Sequence, residues 1–203
     1  MTEEIDKLTL KEVLTEILWK LCSISDCQCS GIRLNNDGDY PYYVHAGFPE
    51  FFILKENSLC AKDENGDPIS DQNGSPLLEC MCGNVINGRF NPKFPYFTKK
   101  GSFWTNSTTK LLASTTEIDR LARTRNMCHY SGYESVALIP MRSGNKTLGL
   151  IQLNDPRENM FTIEGITTYE HIADQVSDVV INAIEIKQKV SDVFELLNKV
   201  KKP

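Results

Sequence analysis

Apolar and polar positions divide this chain into short runs followed by one long regular stretch. Behind Thr9-Leu10-Lys11-Glu12, the residues Leu10, Val13, Leu14, Ile17, Leu18 and Leu21 mark one face at helical spacing. That opening reads as a capping box, in which hydroxyl and carboxylate satisfy free N–H groups at a helix start. The helix is predicted to stop near Ser23-Ile24-Ser25. Residues 27–34 and 40–46 alternate as strands on either side of Asn36-Asp37-Gly38-Asp39, whose residue types tolerate positive φ and predict a hairpin. Gly47-Phe48-Pro49 closes it, and a short apolar helix or loop covers 51–59. Asp63-Glu64-Asn65-Gly66-Asp67-Pro68 and Asp71-Gln72-Asn73-Gly74-Ser75-Pro76 then repeat one turn signal, which predicts a small β excursion.

A short helix is predicted over 79–87, ended by Gly88, and a hydroxyl-rich stretch fills 101–116. Ser114-x-x-Glu117 reads as a second capping box, opening a helix to about Asn126. The near-continuous apolar run 134–141 predicts a central strand, and 147–154 returns beside it after Ser143-Gly144-Asn145-Lys146. From Thr162 to Val200 the pattern is one helix. Tyr169, Ile172, Val176, Val179, Ala183, Ile186, Val190, Val193, Leu197 and Val200 keep a 3-4 spacing, the mark of a coiled-coil seam. Core contact early and a partner helix later are compatible.

With 40% hydrophobic and 24% charged residues, the chain has the composition of a soluble globular protein. A net charge of −5 without a basic stripe excludes broad nucleic-acid binding. No run approaches the roughly 20 apolar residues of a membrane span. The acidic opening Thr2-Glu3-Glu4 has no apolar region behind it, so no secretion signal is expected and the cytoplasm is the expected compartment. Seven cysteines then point to reduced thiols used for metal or redox chemistry rather than to disulfides.

The densest chemistry lies at Leu78-Glu79-Cys80-Met81-Cys82-Gly83, with Cys60 upstream and Cys128 before the apolar strand. Four thiolates can hold zinc tetrahedrally or an iron–sulfur cluster, although C-x19-C-x-C-x45-C lacks paired knuckles. Free cysteine also serves as a small buried hydrophobe. Cys22 is read as core, and Cys27 and Cys29 as packing on one face of a strand. His129 is a candidate axial ligand for heme, without a Cys-x-x-Cys-His attachment motif, while His45 and His171 read as structural. The acidic loops lack the bidentate Glu of an EF-hand, which argues against calcium. Arg120, Arg123 and Arg125, interleaved with Glu117 and Asp119, read as a solvated helix face. Trp104 and Ser107, in the hydroxyl-rich run, suit a pocket for a small polar or redox-active molecule.

The order of elements, with Tyr133-Glu134-Ser135-Val136-Ala137-Leu138-Ile139-Pro140, Leu148-Gly149-Leu150-Ile151-Gln152-Leu153 and Phe161-Thr162, resembles a GAF domain. The resemblance implies an α+β fold: a central antiparallel sheet, helices on both faces, a roofed pocket, and a long C-terminal coiled-coil helix. It implies three parts: an N-terminal dimerisation helix over 1–25, a GAF-like sensor domain over 26–185, and a coiled-coil extension over 186–203. More narrowly, Cys60, Leu78–Ile86, Gly101–Ser107 and Thr124-Arg125-Asn126 with Cys128 are similar to a cysteine-bearing subgroup found in microbial sensor kinases and signalling proteins. That places Cys60, Cys80, Cys82 and Cys128 on or near the pocket roof, as ligands of one metal centre. The function implied is a stand-alone, non-catalytic sensor that signals through a helical homodimer to a separate kinase or regulator. An enzyme reading stands beside it. The free methionine-(R)-sulfoxide reductases are GAF proteins with pocket cysteines, and there Cys82 and Cys128 would be the thiols and Glu134 a substrate contact.

Overall fold

The computed structural model describes residues 9–72, 74–121 and 123–200. Residues 1–8, Asn73, Ala122 and 201–203 lie outside the described residues, as do the side chains of Lys199 and Val200. The acidic opening, one half of the second Asn-Gly turn and the last seam position therefore fall outside.

Helix α1 spans Leu10–Ser25, and its capping box is formed: Thr9 N donates to Glu12 Oε2 at 2.7 Å, and Glu12 N to Thr9 Oγ1 at 3.3 Å. Leu14, Leu18 and Leu21 are buried against β1 (Cys29–Leu34) and β2 (Tyr42–Ala46). Each such side chain contributes about 1.5–3 kcal/mol on leaving water. The hairpin forms as its sequence requires, with Asn36 and Asp39 exchanging backbone hydrogen bonds of 2.8 and 3.1 Å. Strands β3 (Phe103–Thr105), β4 (Ser135–Ser143) and β5 (Lys146–Asp155) complete an antiparallel sheet of order β2-β1-β5-β4-β3. As expected, β4 is an interior strand, paired with β3 and β5, and β5 lies in the middle of the sheet. Both its neighbours meet it with apolar residues, Ile32 and Ile139 pairing Ile151 from opposite sides. The β5 end is pinned by the Asp155 carboxylate, which accepts from Gln28 N at 2.9 Å and from Arg157 N and Nε at 2.8 Å.

Alternation along the strands gives the sheet two apolar faces. Ile32, Val44, Ala137, Ile139, Met141, Ile151 and Leu153 face α1 and the C-terminal helix. Cys29, Val136, Leu138 and Leu150 face a roof containing α2 (Glu50–Glu56) and α3 (Cys80–Ile86), with α4 (Thr108–Ser114) and α5 (Met127–Tyr130) in the adjoining chain. The 60–78 excursion is a small meander joined by isolated bridges at Cys60–Leu78, Lys62–Pro68 and Ser70–Pro76. Asp63 Oδ1 accepts from the N–H groups of Asn65 and Asp67 within its own loop.

Two expected helical features differ. No helix runs from Ser114 to Asn126. Ser114 Oγ donates back to Lys110 O instead of capping a new helix, and Thr116 with Asp119 closes a single turn. Leu121 then takes positive φ, 64°, and Arg120 O accepts from Asn84 Nδ2 at 2.6 Å rather than continuing a ladder. The loop's backbone is thus tied to α3. The second difference concerns α6, Ile163–Val200, a single helix roughly 57 Å long. Its buried stripe is Ile166, Tyr169, Ala173, Val176 and Val180, while the expected seam positions Ile172 and Val179 are only half-buried. Ala173 is fully buried in the core between this helix and the sheet. Past Ala183, among the described residues, Ile186, Val190, Val193, Phe194 and Leu197 are exposed. Among the described residues no helix is long and apolar enough to cross a membrane.

Candidate functional site

The site begins at the backbone of α3. Glu79 N donates to Leu59 O and Cys60 pairs with Leu78, so the excursion returns the chain beside its own start. Directly after it Cys80 takes a left-handed conformation, φ 65°, held by its N–H on Arg123 O at 3.1 Å. A non-glycine residue there stores about 1–3 kcal/mol of strain. The glycine after Cys82 has a spatial reason: a Cβ on Gly83 would lie 2.8 Å from the Leu78 carbonyl group. Only glycine lets α3 fold back this closely and turn Cys82 inward.

Cys80, Cys82, Cys128 and His129 line one cavity of about 50 Å3, closed by Phe103, Val136 and Leu138 of the sheet and by Arg120 and Thr124 of the loop. Burial pushes the Cys82 thiol up to about 12, with Arg33 pulling the other way. Burial, then the neighbouring Cys82 and Cys80, push Cys128 well above the ordinary thiol value. Both are therefore neutral thiols at physiological pH, and a metal entering here must displace their protons. His129 touches Thr108 Oγ1 at 3.2 Å.

Beneath the thiols a buried polar chain crosses the sheet, and sequence reasoning missed it. Gln152 Nε2 lies 3.8 Å from Cys128 Sγ and donates to Asn154 Oδ1 at 3.0 Å. Tyr42 donates to Gln152 Oε1 at 2.8 Å, and the Arg33 guanidinium stacks 3.6 Å over the Tyr42 ring. The ring can lie across β1 because Gly31 sits under it; a Cβ there would fall 2.7 Å from Tyr42 Cε1. Arg33, fully buried, donates to Tyr40 O at 2.8 Å, Asn57 O at 3.1 Å and Glu56 O at 2.6 Å. The signal available was polarity out of place, an Arg and a Gln in strands whose other members are apolar or small.

The remaining candidates lie elsewhere. Cys60 does not line the cavity: its buried thiol sits against Ser58 and Asp39. Glu134 is held at the start of α4, where its carboxylate accepts from Thr109 Oγ1 at 2.6 Å, Thr109 N at 3.1 Å and Ser107 Oγ at 2.9 Å. Burial alone would raise its pKa, but these donors outweigh it and hold the carboxyl ionised. Trp104 and Ser107 line a separate open groove of about 570 Å3, with Tyr96, Asn106 and Lys110. Arg120 and Arg125 do not form a solvated face. Arg120 is buried, and Arg125 meets Glu56 at 3.4 Å; only Arg123 is largely in water. Nor do Cys27 and Cys29 share a face. Cys27 joins the core under α1 and Cys29 the roof core, because β1 starts at Cys29 and a bend at Gln28 breaks the alternation. Cys22 is half-buried, 2.7 Å from Ser30 Oγ. Among the described residues no three His, Cys, Asp or Glu side chains converge closely enough to hold a metal ion. The three cavity thiols must draw together to do so.

No family model matches the chain, and no curated protein matches it in sequence. Solved structures do resemble it. The GAF domain of a phosphoenolpyruvate-protein phosphotransferase from Coxiella burnetii is 13% identical, with 92% of each chain covered and a TM-score of 0.57. A domain assigned to a two-component sensor histidine kinase protein from Sinorhizobium meliloti 1021 is 11% identical at a TM-score of 0.58, covering 90% of this chain and 98% of that one. A GAF domain/HD domain protein from Geobacter sulfurreducens is 11% identical at 0.54, covering 86% and 93%. The chain therefore has the GAF fold, as the sequence resemblance implied.

Proposed function

We propose that this chain is a sensory GAF module, that the cavity between α3, α5 and the sheet is its sensing site, and that α6 passes the signal on as a homodimer. The observation that carries the reading is the convergence of Cys80 and Cys82 with Cys128 and His129, from distant parts of the chain, on one small cavity in the roof. Three thiols and an imidazole form a soft donor set suited to zinc or an iron–sulfur centre. Arg33, buried close to Cys82, is the counter-charge that thiolates would need once their protons leave. A porphyrin needs far more than the present cavity, about 50 Å3, and enters only if the roof parts.

A sulfoxide reductase needs a thiolate nucleophile and a free substrate contact. Here the Cys82 thiol is held protonated and the Glu134 carboxylate is occupied by α4. The test is metal analysis with a visible spectrum of protein purified without oxygen, run beside an assay with free methionine sulfoxide and a thiol donor. The expected result is about one bound centre per chain and no turnover. Turnover that disappears in Cys128→Ser would replace the sensor reading by the enzyme.

A further inference from the structure

We propose that Arg142 and Glu170 are positioning residues that couple α3, the helix carrying Cys80 and Cys82, to the signal helix α6. The proposal rests on the reading of the thiol cavity as the sensing site, and it says how a change there reaches α6. The two helices lie on opposite faces of the sheet, α3 in the roof core and α6 under the other face. A polar bridge joins them round the end of β4, by way of the turn 98–102.

The bridge starts at the C-terminus of α3, where the helical ladder leaves carbonyls for outside donors. Val85 O accepts from Arg142 Nη2 at 3.1 Å, and Ile86 O from Thr147 Oγ1 at 2.8 Å. The other arm of the same guanidinium, Nη1, donates to Lys100 O in the turn. A planar guanidinium holds two carbonyls at once in a fixed geometry, which an ammonium cannot do. The register of β4 on β5 shifts between Met141 and Arg142, an irregularity of the kind that re-aims a side chain.

The turn in its own right grips α6. Thr98 Oγ1 and Ser102 Oγ both donate to Glu170 Oε1 at 2.6 Å, and all three residues are buried. One helical turn on, Asp174 Oδ2 meets Lys100 Nζ at 3.0 Å, but both side chains are about half exposed, so that pair adds little. The turn is stiff: Gly101 N donates to Thr98 O and Ser102 N to Thr98 Oγ1, each at 3.1 Å. A Cβ on Gly101 would fall 2.6 Å from the Phe90 ring. To gather a metal the cavity thiols must draw together, which displaces α3. The bridge delivers that displacement at Glu170, roughly four turns ahead of the exposed Ile186.

The experiment is amide hydrogen exchange of the full chain, read separately over α3 and over the part of α6 around Glu170. Two perturbations act on the cavity: zinc ion alone, and Cys82→Ala without metal. Zinc should slow exchange in both segments and Cys82→Ala should speed it in both, by about threefold or more in α6. In Arg142→Met the α3 responses should remain while the α6 responses vanish. Glu170→Leu, which removes the acceptor, should act likewise, whereas Glu170→Gln keeps an oxygen for both hydroxyls and should keep the α6 response. A merely structural role would raise exchange in every state and leave the responses in place. Continued protection of β5 in each variant shows that the core is intact. Zinc without effect on α3 would count against the metal reading alone, and Cys82→Ala then decides the bridge. The proposal is overturned by no α6 response to Cys82→Ala, by an α6 response undiminished in Arg142→Met and Glu170→Leu, or by loss of the α3 response along with it.

Discussion

Arg33→Met is expected to lower the free energy of unfolding by roughly 3–5 kcal/mol, the cost typical of removing one partner from a buried charged network. The guanidinium is fully buried and feeds three backbone carbonyls, that of Tyr40 before β2 and those of Glu56 and Asn57 at the end of α2. Methionine fills similar space but leaves those oxygens without donors. It also removes the cation from the face of Tyr42, worth about 0.5–2 kcal/mol more or less by burial. Arg33→Lys should recover little, since a single ammonium cannot spread its donors as the planar guanidinium does. Urea unfolding monitored by circular dichroism checks this: the midpoint should fall with the slope unchanged. A loss under about 1 kcal/mol would mean that water replaces the guanidinium and the polar chain is not structural.

Val190→Asp is expected to convert a homodimer into monomers while leaving the sheet and thiol cavity folded. Beyond Ala183, α6 leaves its own core and carries Ile186, Val190, Val193, Phe194 and Leu197 into water. Such a stripe needs a covering surface, and a second copy of the same helix matches it. An aspartate in that seam would place an unpaired carboxylate from each copy in an apolar interface. About 4 kcal/mol per dimer is a modest estimate for such burial and corresponds to about a thousandfold in Kd. Light scattering across the micromolar range reads it out, and a monomeric unmodified chain would falsify the dimer. Helix α1 contributes less to any bundle than its apolar pattern promised, because Leu14, Leu18 and Leu21 are spent in the chain's own core. Its outward face offers Trp19 and Ile24 instead.

Local patterns carried most of the fold. The capping box at Thr9, the Asn36–Asp39 hairpin, the strands flanking Gly144 and the span of α6 depend on neighbours within a few residues, and these are written in short-range chemistry. The failures share a cause. The Ser114–Glu117 signal lost because Thr116 with Asp119 made the cap and the following carbonyls were claimed by Asn84 and Cys80, both far away in sequence. On α6 Tyr169 and Val176 kept their expected burial while Ile172 and Val179 gave way to Ala173 and Val180, because the sheet and α1, not a parallel partner helix, cover its first half. At the site, Cys80, Cys82, Cys128 and His129 were legible as reactive types. Their separation from Cys60 was not, because it depends on how the excursion folds back at the Cys60–Leu78 bridge. Arg33 and Tyr42 were invisible for a similar reason: their meeting depends on the space left by Gly31.

Metal content across the four single variants Cys60→Ser, Cys80→Ser, Cys82→Ser and Cys128→Ser, each purified without oxygen, bears on the sensing site itself. With three thiols gathered in one cavity and Cys60 placed against Ser58 and Asp39, Cys60→Ser should keep the metal content of the unmodified chain. Cys82→Ser and Cys128→Ser should each lose most of it, and Cys80→Ser should lose it partly or wholly. Full retention in Cys82→Ser, or a loss in Cys60→Ser as complete as in Cys128→Ser, would contradict a three-thiol sensing cavity in the roof.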